Sequence, residues 1–185
     1  MQGKRKSLMG LFTSSTNSLD AVFVSVLQQI YYAERQIGEQ LELMIPMATA
    51  PELRAGFEQH LNETREQYAR LEEIFRMIGA EPDEAKCPAI DGILKAGNAM
   101  VSAISDDQVK DAALTHAAQM VEHYEIAQYG TLAAWARELG RQDCEQLLQI
   151  TLQEEKDTDQ KLTMIAESRI NRQAEMQNSS SDQFA

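Results

Sequence analysis

Val121-Glu122-His123-Tyr124-Glu125-Ile126-Ala127-Gln128-Tyr129-Gly130-Thr131-Leu132 has the rhythm of a helix and sets a glutamate where an apolar residue is due. Leu114, Ala118, Val121, Glu125, Gln128, Leu132 and Trp135 recur at steps of three and four, which is the spacing of one face of an α-helix. Glu125 therefore stands mid-stripe, with Glu122 one turn before it. This helix is expected to start near Ser105 or Asp106 and to end at Gly140.

The same irregularity recurs outward along the chain. Downstream, from about Asp143 to Ile170, Leu148, Leu152, Glu155, Asp159, Leu162 and Ala166 share a face that includes two acids. Upstream, Phe23, Leu27, Ile30, Glu34, Ile37, Leu41 and Met44 form a first helix, capped by Asn17 or Ser18 and stopped by Pro46. The second helix is announced by Thr49-Ala50-Pro51-Glu52, with Thr49 as its expected cap, and ends at Gly79. Its stripe is Phe57, Leu61, Thr64, Tyr68, Leu71, Phe75 and Ile78, flanked by His60, Glu63 and Gln67. Between Ala80 and Asp106, Pro82 and Pro88 bound a weaker periodic stretch that reads as a short crossover helix. Alternation of the strand type is nearly absent, so the expected class is all-α, a four-helix bundle over 18–171. Residues 1–17 are expected to be a flexible tail and 172–185, rich in Ser, Gln and Asn, a disordered one.

Composition narrows the partners. The 29 acidic and 17 basic residues leave a formal charge of −12, and the one basic run, Lys4-Arg5-Lys6, is too small to grip a phosphate backbone. Nucleic acid is not expected. No stretch approaches the roughly 20 apolar residues of a membrane span, and the apolar run after the basic start is too short for a secretion signal. Cys87 and Cys144 stand apart, without the spacing of a thiolate site or a disulfide framework. A cytoplasmic location is the expectation.

A buried, unpaired carboxylate costs several kcal/mol, against a total stability of roughly 5–15 kcal/mol for a domain. For a single acid, the simpler reading is a residue at the stripe's edge that reaches solvent. Four helices with the same anomaly need a common cause. No Lys or Arg stands near the acids on the stripes, so the compensating charge must be protons or cations. Glu34 precedes Glu63 by 29 positions and Glu125 precedes Glu155 by 30, so the two halves of the chain look like repeats. The expected metal ligands are Glu34, Glu63, Gln67, Glu122, Glu125, Glu155 and Asp159, an oxygen-rich set suited to iron or manganese. Dinuclear carboxylate bundles take a Glu from each of two helices and a Glu-x-x-His from each of the others. Here Glu66 and Thr158 occupy the histidine positions, and His60, one turn before Glu63, is the available substitute. His123 and Tyr124 are assigned supporting roles beside the ligands.

The stretch Val121–Ala133, together with Thr151–Asp159, Tyr32–Gln36 and His60–Gln67, resembles the YciF-like family of bacterial ferritin-like, rubrerythrin-like proteins, over roughly residues 18–170. The resemblance implies a ferritin-like bundle, a dinuclear metal site, a homodimer and an association with stress. From residues and resemblance together we expect two iron or manganese ions per chain, acting on peroxide or dioxygen. Tyr31, Tyr32 or Tyr124 would relay electrons from an outside reductant. The alternatives are a non-catalytic metal-binding or iron-buffering protein and a structural dimer.

Overall fold

The structure, a computed structural model, describes residues 17–181; the expected tail over 1–16 lies outside the described residues. Four long helices form a ring of neighbours: α1 (Leu19–Met44), α2 (Pro51–Ile78), α4 (Asp107–Glu138) and α5 (Gln142–Ile165). α1 packs on α2 and α4, and α5 packs on the same two. α3 (Pro88–Ser102) is the crossover and lies against α4. It connects two antiparallel hairpins, so the fold is an all-α, ferritin-like four-helix bundle.

Local chemistry accounts for most helix ends. Ser18 accepts from the Ala21 amide to cap α1, and Asp106 accepts from the amides of Gln108 and Val109 to cap α4. Gly79 and Gly140 end α2 and α4 at φ 68° and 71°, a left-handed turn that a side chain would strain. Two expectations need correction. Thr49 does not cap α2: the cap residue is Ala50, and Asp111 of α4 reaches across to do the work. Its buried carboxylate accepts from the Thr49 amide (2.8 Å), the Thr49 hydroxyl (2.7 Å) and the Ala50 amide (2.7 Å), fastening the start of α2 to the other hairpin. A carboxylate beside a helix start also opposes the positive end of the helix dipole.

The second correction concerns the C-terminal end. Composition predicts disorder from residue 172, whereas α5 passes through one π turn at Ala166–Ile170 into α6 (Asn171–Ser181). Residues 182–185 lie outside the described residues. No Gly or Pro follows Gly140, and extending an existing helix needs no new nucleus, so polar composition alone does not end it. Buried Ile170 anchors the extension, and α6 packs on α4. No described helix is long and apolar enough to cross a membrane.

Asp111→Ala should lower unfolding free energy in urea by about 2 kcal/mol, since one buried and two part-buried donors lose a charged acceptor at once. A loss under about 0.5 kcal/mol would mean that these contacts do not hold the hairpins together.

Candidate metal centre

Between the four helices, side chains that prefer water are packed into a dry interior. Exposure is 1% for Glu34 and Glu122, 0% for Glu125, Glu155 and Gln67, and 3% for His60. One ligand atom from each of His60, Glu122, Glu125 and Glu155 lies within 4.8 Å of all the others. Glu34 adds a carboxyl from α1, packed against Glu125, while Glu122 packs against Glu155. All four helices therefore contribute. Neither oxygen of Glu125 has a hydrogen-bond partner, and Oε2 of Glu34, Glu122 and Glu155 is equally bare.

Burial sets the protonation of this group. Desolvation is the largest cause in every case: it raises Glu34 to about 7 and Glu122 to about 8, and holds Glu125 and Glu155 well above the ordinary carboxylate range. The neighbouring carboxylates push Glu125 and Glu155 further up. The same burial lowers His60 to about 4, so its imidazole is neutral at physiological pH. Neither ring nitrogen of His60 has a hydrogen-bond partner, and Nε2 is 3.4 Å from Glu122.

The surrounding contacts fix the group in place. Tyr129 is fully buried and donates its hydroxyl to Glu34. The Gln67 amide donates to Glu155 and, at 3.1 Å, to Glu154. Arg70 forks onto both oxygens of Glu154 at 2.6 and 2.7 Å and reaches Thr151 at 2.8 Å. The expectation of no nearby cation thus fails at the edge of the site, because a long arginine reaches around its helix. Its charge is matched by Glu154, and among the described residues no Lys or Arg forms an ion pair with the inner four carboxyls.

The other expected residues fall into two groups. Glu63 sits at the margin, where Gln59 (2.7 Å) and Thr158 (3.4 Å) hold its carboxylate. It lies about 60° around the helix from His60, and the buried arc centres on the far side of His60. Asp159 is likewise marginal, accepting from Gln119 at 3.3 Å, with His123 3.4 Å away. Gln67 is central, but it orients Glu155 through its amide. His123 is 71% exposed. The Tyr124 hydroxyl meets Cys87 at 3.2 Å, Tyr31 donates to Glu72 and Tyr32 to Asp91, so none of these three phenols bonds to the buried carboxylates. The phenol that does is Tyr129, which the sequence reading passed over for Gln128. It lies four residues after Glu125, one turn on along the same face, and that spacing was the signal available.

A ferritin-like bundle with a buried cluster of carboxylates and one imidazole is the class that fold and site define together. The chain belongs to the family described as a domain of unknown function, DUF892, whose pattern matches residues 18–175. It is 38% identical over 159 residues to protein YciF of Escherichia coli, covering 85% of this chain and 96% of that one. The structure of the E. coli stress protein YciF superposes with a TM-score of 0.80 at 37% identity, over 84% of this chain and 98% of that one. The structure of YcfI from Rhodopseudomonas palustris gives 0.81 at 43% identity, over 84% and 99%. The fold alone extends to a Xanthomonas campestris protein, with a TM-score of 0.70 at 24% identity, over 87% and 99%.

These protonation states make stability depend on pH. Between about pH 4.5, where the carboxyls ionise in the unfolded chain, and their raised folded values, the folded state binds more protons. The stability they allow is whole below that window and is lost as pH rises through about 7 and 8. His60 acts oppositely: from about 4 to 6.5 the unfolded chain binds the extra proton, so this contribution grows with pH and is complete above 6.5. Metal-free protein should therefore melt lower at about pH 8.5 than at about pH 6.5, by up to about 1.4 kcal/mol per pH unit for each carboxyl titrating. Melts in chelator across this range check the sign.

Proposed function

We propose that the cluster holds two iron or manganese ions and that the loaded protein handles peroxide or dioxygen under stress. The observation that carries this reading is the set of bare, buried acceptors on Glu34, Glu122, Glu125 and Glu155, beside an imidazole with both nitrogens free. Fully ionised, the four carboxylates carry four negative charges, which two divalent ions would balance and one would not. Oxygen donors with a single nitrogen and no thiolate suit iron or manganese.

In this reading Glu122, Glu125, Glu155 and His60 are the inner ligands, with Glu34 completing the set from α1. Gln67 orients Glu155, and Tyr129 orients Glu34 by donating its proton to it. A bound pair of such ions supplies a redox couple and a place for an oxidant. The protein's part is to exclude water and to present ligands that release protons as cations enter. Tyr129, in hydrogen-bond contact with a ligand, is better placed than Tyr31, Tyr32 or Tyr124 to pass an electron. The two cysteines are single and buried, so the reductant comes from outside the chain. A homodimer belongs to the same proposal, carried by the family resemblance.

Protein prepared without chelator should contain close to two transition-metal ions per chain and consume hydrogen peroxide, or dioxygen with ferrous iron, faster than the free metal. Glu125→Gln should abolish both properties. It should also raise the melting temperature of metal-free protein by several degrees, since a buried ionisable group gives way to a neutral isostere. Metal-free Glu125→Gln melting no higher than the parent would show that Glu125 is not held there at a cost to stability.

A further inference from the structure

The buried carboxylates are walled by four helices, yet one wall is open enough to admit a solute. A cleft of about 320 Å³ lies between α1 and α2, and Glu34 forms part of its lining. Glu34 is 1% exposed and its Oε2 has no partner, so an unsatisfied acceptor of the site stands at the inner end of this opening. Two other cavities touch the cluster among the described residues, one between α2 and α5 beside His60, Glu63 and Glu122 of about 10 Å³ and one beside Leu41, His60 and Glu122 of about 20 Å³, each with room for about one water.

We infer that divalent cations reach the centre through the α1–α2 cleft, with Gly38 and Thr64 as its throat. The inference rests on the metal reading above and adds the route. At position 38 there is no side chain. A Cβ there would stand 3.7 Å from the Thr64 methyl and 4.0 Å from Leu61, an ordinary fit, so glycine is not required for packing. Its absence of side chain leaves the passage clear. At the rim each guanidinium is already paired: Arg35 is held by Glu39 and, from beyond the cleft, by Glu84, and Arg65 is held by Glu42. An incoming cation therefore meets no free arginine here, and the acceptor ahead of it is Glu34.

A reversible plug tests the route in folded protein. Gly38→Cys places a thiol in the throat and Arg65→Cys places one at the mouth. Cys87 and Cys144 are each 3% exposed and so are shielded from a thiol reagent. Each variant is modified with a bulky alkyl methanethiosulfonate, and uptake of cobaltous ion is followed by its visible absorption in a stopped-flow instrument. The rate of each unmodified variant is its own reference, and the Arg65→Cys rate should be at least that of the parent, since one positive charge leaves the mouth. After modification, uptake should slow at least about tenfold, because entry then waits on local opening of the helices. The final cobalt content should be unchanged, and reductive removal of the adduct should restore the rate. Gln59→Cys, modified identically at the α2–α5 slot, should keep the parent rate. If both plugs leave the rate unchanged, or if only the plug at position 59 slows it, the route is wrong while the metal site stands. If unmodified parent takes up no cobalt, the metal reading fails and the route fails with it.

Discussion

Everything in this bundle answers to one electrostatic constraint: four carboxyl groups from three helices share a space too dry to solvate their charge and too small to separate them. Burial and mutual repulsion act in the same direction on Glu122, Glu125 and Glu155, so in the absence of cations these carboxyls hold protons. Multivalent cations satisfy the same oxygens while removing the repulsion. Under the function proposed above, the centre would exchange one occupant for the other.

The surrounding structure holds these carboxyls in place. Arg70 and Glu154 neutralise each other at the edge, so the nearest guanidinium does not collapse onto the inner carboxylates. Gln67 spans Glu154 and Glu155, linking this settled ion pair to the unsettled centre, and Tyr129 performs the equivalent task for Glu34. Both are neutral groups that hold a carboxyl by donation without taking up its charge. Far from the site, Asp111 shows how a buried carboxylate looks when its role is structural, with three short hydrogen bonds and neither oxygen left bare. The contrast with Glu125, which has none, separates a fastening from a candidate ligand.

Such a centre trades stability for function. Each inner carboxylate would be less costly as an amide or a leucine, and the fold carries them on a core of well-buried apolar residues such as Phe23, Leu27, Leu53, Phe57, Phe75 and Leu132. The α1–α2 cleft is a second concession, since closer packing there would bury more of the apolar surface of Leu61 and Tyr68.

The sequence by itself determined the class and most of the plan. Periodicity of 3.6 located the long helices, Gly79 and Gly140 marked two of their ends, and acids in place of apolar residues picked out Glu34, Glu125 and Glu155, because a helical face is a local property of the chain. Only the tertiary structure decided which flanking residues turn inward. Phase read from one helix drifts by a residue or so, enough to favour Glu63 over His60 and Gln128 over Tyr129 when the true inner arc is set by packing against neighbours. Asp111 capping a helix 61 positions away, and Arg70 reaching Glu154 from another helix, depend on residues far apart in the chain becoming adjacent. No local pattern encodes that adjacency, so only the folded bundle could reveal it.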